Sequence, residues 1–363
     1  MQSDNRPWLV LVGGFLGAGK TTLLARAARE LLQRGVKPAM ILNDQEGGLV
    51  DTAWIQAQNL RAGEVTGGCF CCRFSDLVTA AADLRAFAPG VIFAEPAGSC
   101  ADLAATVIAP LRQLYPERFR LAPYTVLVDP ARAAEVESGK VGAELAFLFG
   151  KQIEEADLLC AAKSDLYPDF AGAPRRLSAR TGAGVAAWLD EVLSGTLTAG
   201  GHCLSIDYEE YARAEAALVW LNFEACVACE PPLSPALLAG PFFDEVEAAL
   251  DSVGASIAHL KVLDQCASGY VKAAVCANGA QPDVDGTLDA EPAGRHNLRL
   301  NLRATGDPSS IRALVESAAG RLPGRCEDVR LVCFRPAPPR PEHRFSGLGT
   351  RIGSPEQRRG VSE

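Results

Sequence analysis

A short glycine-rich stretch near the start of the chain has the residue types and spacing of a phosphate-binding loop. Residues 14–21 fit the pattern G-x-x-x-x-G-K-[ST]. In such a loop the glycines let successive N–H groups face phosphate oxygens, the lysine reaches the β and γ phosphates, and the threonine hydroxyl ligates Mg²⁺. The predicted nucleotide-binding residues here are Gly14, Gly17, Ala18, Gly19, Lys20, Thr21 and Thr22.

Glu95, which ends the apolar run 91–94, and Gly98, three residues later, are candidates for nucleotide hydrolysis. Nucleotide hydrolases place an acidic group for the Mg²⁺ shell and a glycine N–H for the γ-phosphate at such a position. The alternative is a carboxylate that merely ends a strand in solvent, and the phosphate loop upstream favours the catalytic interpretation. Lys20, Glu95 and Gly98 are the predicted catalytic residues. Thr21 and Glu95 are the predicted contacts of Mg²⁺.

Two later segments resemble loops that read a guanine base. Lys163 and Asp165 match the end of the motif [NT]-K-x-D, in which the aspartate accepts hydrogen bonds from guanine N1 and N2 and the lysine stem covers the base. Ser178 and Ala179 resemble the backbone loop that contacts guanine O6. Ala162 stands where asparagine or threonine is usual, so one orienting hydrogen bond is missing. A preference for GTP is expected, and its strictness over ATP stays open.

Cysteines cluster at one position of the chain. Cys69, Cys71 and Cys72 place three thiols within four residues. Thiolates suit Zn²⁺, Cu(I) or comparable ions, and a tetrahedral Zn²⁺ would take these three and one further ligand. Free cysteines also pack in cores, but the two preceding glycines and the following arginine indicate a loop. Cys226 and Cys229 have C-x-x-C spacing without a second pair nearby, so a metal site and core packing stay equal alternatives.

These motifs lie at the ends of short apolar segments that alternate with amphipathic ones. The predicted strands of this region cover residues 8–12, 38–44, 91–94, 124–129 and 157–162. Their alternation with helices predicts an α/β fold, a P-loop NTPase with a doubly wound, mostly parallel sheet and ligands at the carboxyl ends of its strands. The carboxylate-bearing stretch 43–51 follows the second strand, and we expect it to be a nucleotide switch loop.

The pattern changes after a glycine- and threonine-rich boundary near residue 200. We expect a P-loop GTPase domain over residues 1–200 and a small α+β domain of β-α-β-β-α-β-like order over residues 201–335. Residues 278–294 are expected to be a long acidic loop within the second domain. Prolines, glycines and charges with almost no apolar periodicity predict a flexible tail over residues 336–363.

The amino-acid composition limits the expected classes of binding partner and the expected cellular compartment. The 363 residues are 48% hydrophobic and 22% charged, which is ordinary for a soluble globular protein. A net charge of −9 argues against nucleic acid or an anionic membrane surface as a broad electrostatic partner. The first apolar stretch lacks a basic flank and continues into the phosphate loop, so neither a signal peptide nor a membrane span is expected. The predicted location is cytoplasmic, where twelve cysteines are free thiols or metal ligands.

Three motifs together resemble one family. Gly-Gly-Phe-Leu-Gly-Ala-Gly-Lys-Thr-Thr at 13–22, Gly-Gly-Cys-Phe-Cys-Cys at 67–72 and Glu-x-x-Gly at 95–98 are similar to the CobW-type branch of the P-loop GTPases, relatives of the urease and hydrogenase maturation GTPases. The resemblance covers about residues 8–195. It implies GTP hydrolysis coupled to handling of Zn²⁺ or Co²⁺ for a client metalloprotein or cofactor pathway. By position, the resemblance implies that the three clustered cysteines bind the cargo metal.

The sequence also departs from this family. The switch segment usually reads Asn-Glu-Phe-Gly-Glu-Val-Gly-Ile-Asp, whereas here Gly47 replaces the central glutamate and Glu46 is adjacent. A histidine-rich tract is missing, which points to a divergent subgroup with its own client. The leading hypothesis is a GTPase metallochaperone that binds GTP, GDP and Mg²⁺, with a homodimer as one candidate assembly. The alternatives are a metal- or thiol-sensing regulatory protein with vestigial turnover and an ATP-using enzyme with structural cysteines.

Overall fold

The computed structural model describes residues 5–345, and these divide into two compact units. Unit one takes the chain as far as Gln45, then Asn59–Ala214, and resumes at Pro338. Unit two takes Glu46–Gln58 and Glu215–Ala337. No helix within the described residues is both long and apolar enough to cross a membrane.

Unit one is built on a parallel sheet. Its strands are β1 (Trp8–Gly14), β2 (Pro38–Asn43), β3 (Ala62–Val65), β4 (Val91–Glu95), β5 (Arg120–Leu121), β6 (Thr125–Val128), β7 (Leu158–Ala161) and β8 (Arg175–Arg176). They run in the order β3-β2-β4-β1-β6-β7-β8, with β5 also paired to β1, and every pairing is parallel. The central strand β1 is almost wholly buried and apolar, as a strand covered on both faces must be. The predicted P-loop NTPase sheet is therefore confirmed.

The helices of both units connect these strands or cover the sheets. They are α1 (Lys20–Gln33), α2 (Val50–Ala57), α3 (Phe74–Leu84), α4 (Ala109–Leu114), α5 (Pro130–Glu137), α6 (Ala143–Glu154), α7 (Val185–Val192), α8 (Tyr208–Ala216), α9 (Pro235–Ser252) and α10 (Pro308–Ala319). Helical turns at Arg85–Phe87 and Ala104–Ile108 adjoin α3 and α4. Helix α1 buries leucines and alanines at helical spacing and begins directly after the phosphate loop.

Unit two contains an antiparallel sheet, in agreement with the α+β domain expected there. Its strands are β9 (Val219–Leu233), β10 (Ile257–Cys266), β11 (Gly269–Val275), β12 (Asp283–Gly286), β13 (Ala293–Ala304) and β14 (Arg325–Phe334), in the order β12-β11-β10-β13-β9-β14. Phenylalanines of β9 and α9 and aliphatic residues of the inner strands form the core. Strand β12 lies where an acidic loop was expected, because backbone pairing with β11 needs no apolar side chains. Its aspartates suit an exposed sheet edge.

The described part of the C-terminal segment is held against unit one. The N–H of Glu342 donates to the carbonyl oxygen of Cys71 at 2.9 Å, and the Glu342 carboxylate accepts from the N–H of Ser75 at 3.1 Å. Arg344 forms an ion pair with the buried Asp102. Polar and ionic contacts of this kind do not require apolar residues at regular spacing. The sequence of this segment therefore shows no apolar periodicity, which is why a flexible tail was expected here. The rest of that expected tail, residues 346–363, lies outside the described residues.

Candidate functional site

The phosphate loop joins β1 to α1 and depends on its glycines. Gly17 and Gly19 have φ angles of 79° and 87°, in the left-handed region that side chains with a Cβ rarely adopt. A Cβ on Gly14 would lie 2.5 Å from the carbonyl oxygen of Leu127. The ammonium of Lys20 donates to the carbonyl oxygen of Gly14 at 2.8 Å. Its ammonium also lies 3.4 Å from the carbonyl oxygen of Phe15, so the buried Lys20 is held against the backbone of the loop.

The first residues of α1 meet the end of β4. The hydroxyl of Thr21 donates to Oε1 of Glu95 at 3.0 Å, and both residues are buried. Thr22 beside it is half-buried, and Ala18 of the loop is fully buried. A hydroxyl and a carboxylate oxygen are ligands that Mg²⁺ prefers, so these two side chains could contact one ion.

Gly98 brings the segment after β4 against the phosphate loop. A Cβ at this position would lie 2.7 Å from Cδ2 of Leu16 and 3.0 Å from its backbone nitrogen. Real Cβ atoms do not approach that closely, so a larger residue would push the two segments apart. The predicted catalytic residues Lys20, Glu95 and Gly98 therefore lie around one loop.

The two segments predicted to read guanine are neighbours at the ends of β7 and β8. Lys163 has a left-handed backbone (φ 53°), and its ammonium donates to Oδ2 of the buried Asp129 at 2.7 Å. Asp129 also accepts from the N–H of Ala131 and caps helix α5. Asp165 is exposed. Sequence reasoning missed Asp129, although an acidic residue directly after an apolar strand was the available signal.

A backbone hydrogen bond of 3.1 Å from Ser164 to Leu177 joins this segment to the Ser178 loop. Ser178 is fully buried, and its hydroxyl oxygen accepts from the N–H of Thr181 at 3.1 Å. The hydroxyl therefore holds the turn, while the half-buried Ala179 offers backbone groups next to it.

Cys69, Cys71 and Cys72 bring their sulfur atoms together between β3 and α3. Sγ of Cys69 lies 2.6 Å from that of Cys71 and 3.3 Å from that of Cys72, and the remaining pair is 3.7 Å apart. A tetrahedral ion with sulfur ligands at about 2.3 Å would space them about 3.8 Å apart. Two of the three distances are close to this value, and the shortest would open by about 1 Å. The cluster fits a thiophilic metal ion, and among the described residues no other such group is found.

Hydrogen bonds within the cluster lower the pKa of one thiol and raise the pKa of the other two. The pKa of Cys69 is lowered by its side-chain hydrogen bonds, first the one with Cys100 and then those with Cys71 and Cys72. The hydrogen bond with Cys69 is the largest cause that raises the pKa of Cys71, and the hydrogen bond between Cys69 and Cys72 raises the pKa of Cys72 to about 12. Cys100 is buried, and no sequence motif surrounds it. Its position became evident only from the fold.

Asn43, at the end of β2, connects the cysteine loop to the segment after β4. Its Oδ1 accepts from the N–H of Phe70 at 3.0 Å and from the N–H of Ala97 at 3.4 Å. Its Nδ2 donates to the carbonyl oxygens of Gly68 at 2.8 Å and Val65 at 2.9 Å. One buried amide therefore fixes the segment that carries the thiols and the segment that follows Glu95.

The remainder of the expected switch segment is part of unit two. Residues 46–58 contain helix α2, which begins at Val50, inside the stretch 43–51 that was expected to be a loop. The N–H of Val50 donates to Oδ1 of Asn301 at 2.8 Å, and Nδ2 of Asn222 donates to the carbonyl oxygen of Gly47 at 2.9 Å. Side chains distant in sequence satisfy these backbone groups, so local patterns could not reveal the arrangement.

The second cysteine pair is divided between the two faces of β9. Cys229 lies in the core of unit two, on the same face as Val227, whereas Cys226 accepts a hydrogen bond from Arg295 at 3.1 Å. Residues three apart in a strand point to opposite faces. Cys226 and Cys229 therefore cannot hold one ion in this fold.

Comparison with known proteins places these features in a family context. Residues 8–182 match the family model described as CobW/HypB/UreG, nucleotide-binding domain. The zinc chaperone YjiA of Escherichia coli (strain K12) is 42% identical over 77 residues, which are 21% of this chain and 24% of that protein. The match thus spans about a quarter of the length of this curated relative.

Two solved structures are similar over larger parts of the chain. HypB from Helicobacter pylori in complex with nickel shares 14% identity over 53% of this chain and 91% of its own, with a TM-score of 0.40. Zn(II)-bound YjiA GTPase from E. coli shares 12% identity over 86% of this chain and 99% of its own, with a TM-score of 0.30.

Proposed function

Residues 8–182 belong to the CobW/HypB/UreG family of nucleotide-binding domains, and we propose that the protein is a metallochaperone that hydrolyses GTP. The observation that carries this proposal is the pair of hydrogen bonds that Asn43 accepts from Phe70 and Ala97. Through them, the loop with three thiols and the segment after Glu95 share one buried side chain. A nucleotide-dependent shift of either segment must disturb the other, which is what coupled metal handling requires.

The nucleotide site supplies groups for phosphate binding and hydrolysis. The loop N–H groups and Lys20 would hold the phosphates, and the N–H of Gly98 would donate to the γ-phosphate. Thr21 and Glu95 would hold Mg²⁺, which neutralises charge on the phosphates when bound. Asp165 accepts from the guanine edge, and Lys163 covers the base while Asp129 holds its ammonium. The hydrogen bond between Thr21 and Glu95, the two proposed contacts of Mg²⁺, supports these roles.

The cysteine cluster receives the cargo metal, with Zn²⁺ or Co²⁺ as the ions best matched to its thiols. Binding requires the thiols to lose their protons, so metal uptake releases protons to solvent. GTP with Mg²⁺ orders the segment after Glu95 and, through Asn43, the cysteine loop. Hydrolysis loosens both, and the ion passes to a client metalloprotein or cofactor pathway.

A regulatory protein that senses metal or thiol state with vestigial turnover is the second candidate. It is supported by Gly47, which stands where the family carries a switch carboxylate and whose carbonyl is held by Asn222 of unit two. Without that carboxylate, nucleotide could bind and signal without efficient turnover.

Turnover measurements separate the two functions. Steady-state hydrolysis of GTP and of ATP is measured with Mg²⁺, in the presence and absence of one equivalent of Zn²⁺ or Co²⁺. The metallochaperone hydrolyses GTP in preference to ATP, and bound metal changes its rate. Nucleotide binding without turnover under every condition would favour the sensor instead.

A further inference from the structure

A short C-terminal segment, residues 338–345, crosses the cysteine loop and is called here the C-terminal strap. The N–H of Arg340 donates to Sγ of Cys72 at 3.1 Å, although 268 positions separate the two residues in the sequence. The N–H of Glu342 donates to the carbonyl oxygen of Cys71 at 2.9 Å. The strap and the cysteine loop belong to the same compact unit. The strap therefore contacts two of the three clustered cysteines directly.

The strap contacts the thiol through which solvent reaches the cluster. Cys69 and Cys71 are 2% and 1% exposed, whereas Cys72 is only half-buried. An ion that enters or leaves the three thiols therefore passes on the side of Cys72. Because the backbone of Arg340 lies against the Cys72 sulfur, the strap stands on this path.

One end of the strap is anchored to a buried charge. The guanidinium of Arg344 donates to Oδ2 of Asp102 at 2.7 Å and to its Oδ1 at 3.4 Å, and Asp102 is fully buried. The N–H of Phe345 also donates to the carbonyl oxygen of Ala105 at 2.9 Å. A buried carboxylate is costly without a partner of opposite charge, so this end of the strap is held firmly. Its anchor lies on the segment that follows Glu95.

The part of the strap over the cysteine loop is held by weaker contacts. The carboxylate of Glu342 accepts from the N–H of Ser75 at 3.1 Å and from its hydroxyl at 2.5 Å. The ring of His343 packs edge-on against Phe74, with centroids 5.1 Å apart. Glu342 and Ser75 are both exposed, so water competes for their hydrogen bonds. This part can lift from the cysteine loop while Arg344 keeps the strap attached.

We propose that the C-terminal strap is a gate of the thiol cluster, and that metal exchange requires residues 340–343 to lift from the cysteine loop. The proposal rests on the metallochaperone function. With the strap closed, Cys72 is shielded and an ion bound by the three thiols is retained. With the strap open, a client reaches the ion. Because Asp102 lies on the segment after Glu95, a nucleotide-dependent shift of that segment moves the anchor of the gate.

The kinetics of metal exchange test the gate in the full-length protein. Wild type and Glu342→Ala are each loaded with one equivalent of Zn²⁺, and its transfer to a colorimetric chelator is followed by stopped-flow absorbance. Glu342→Ala removes both hydrogen bonds to Ser75, so release should be at least about fivefold faster. Uptake should accelerate by a similar factor. The dissociation constant should change much less, because the three thiols are intact.

Two further variants and three outcomes make the test decisive. Glu117→Ala is the matched control, since Glu117 is also an exposed glutamate of unit one, and Glu342→Gln keeps an acceptor oxygen and should restore most of the slow release. Equal release from wild type and Glu342→Ala would overturn the gate and leave the metallochaperone function standing. A dissociation constant that rises as much as the release rate would also overturn the gate, because Glu342 would then only stabilise the site. Absence of stoichiometric Zn²⁺ binding to wild type would overturn the metallochaperone function itself.

Discussion

At the scale of single residues, hydrogen bonds with the surrounding chain hold the charged side chains of the predicted nucleotide site. Lys20 is buried, and its ammonium donates to the carbonyl oxygen of Gly14. Glu95 is 8% exposed and accepts from Thr21. Contacts within the chain hold both side chains in place, and such preorganisation is what gives a charged group its effect on a transition state.

Glu95→Gln should lower the GTP turnover number by about 100-fold or more, because the carboxylate charge in the Mg²⁺ shell is lost while the size of the side chain is kept. GTP binding should change much less. Glu155→Gln is the control, since burial raises the pKa of Glu155 well above its ordinary value and an uncharged replacement alters little. Turnover of Glu95→Gln equal to that of the control would remove Glu95 from the catalytic set.

Asp165→Asn should weaken the preference for GTP over ATP. The carboxylate offers two acceptors to guanine N1 and N2, and an unmatched polar edge costs about 1–3 kcal/mol. The ratio of the dissociation constants for GTP and ATP measures this directly. Asp169→Asn provides a control at an exposed position four residues away. An unchanged ratio in Asp165→Asn would mean that the base is read elsewhere.

At the scale of elements, pairing between strands brings the two halves of the site together. Strands β2 and β4 run parallel with Leu42 beside Glu95, so Asn43 necessarily emerges next to the segment that carries Ala97. The three clustered cysteines could be predicted from the sequence because they are adjacent in the chain. Asn43 and Cys100 could not be placed at the cluster, because only this strand pairing brings them there.

Asn43→Ala should uncouple metal binding from nucleotide binding. It leaves the N–H groups of Phe70 and Ala97 without their acceptor, which should also lower the free energy of unfolding by about 1–3 kcal/mol. The measurement is Zn²⁺ affinity of the variant with GDP and with a non-hydrolysable GTP analogue. Asn43→Asp restores the acceptor and should recover part of the coupling. Full coupling in Asn43→Ala would show that another contact transmits it.

At the scale of the whole chain, the alternation of strands and helices was enough to predict the parallel sheet of unit one. Elements without a strong pattern were harder to predict. Strand β3 has only one buried residue, β12 is exposed throughout, and α2 is held by Asn301 and other side chains of unit two. Each of these elements depends on hydrogen bonds to partners distant in sequence, and hydrophobic periodicity does not reveal such bonds.

Unit two also contains a buried pair of titratable side chains that should make its stability depend on pH. Asp264 on β10 lies 2.6 Å from Nδ1 of His296 on β13, and both are fully buried. Burial raises the pKa of Asp264 from 3.8 to about 6. The folded state therefore keeps a proton that the unfolded state releases. This contribution is fully present below pH 3.8 and is lost as the pH rises through 6.

Asp264→Asn should remove this pH dependence. Relative to wild type, the variant should gain on the order of 2–3 kcal/mol between pH 4 and pH 7, as expected for a pKa shift of about two units. Hydrogen exchange of the β10 and β13 amides measures the opening free energy of this sheet. The exposed Asp289→Asn serves as the control. A difference between variant and wild type that stays constant with pH would contradict the titration of Asp264.

The central claim is that nucleotide and metal sites are coupled, and one titration tests it most directly. Zn²⁺ or Co²⁺ is titrated into the wild-type protein bound to GDP and, separately, to a non-hydrolysable GTP analogue with Mg²⁺. We predict tighter metal binding in the analogue-bound form, typically by about 5- to 150-fold, and by linkage the metal must tighten the analogue by the same factor. Identical metal affinity in the two nucleotide states would contradict the proposed metallochaperone cycle.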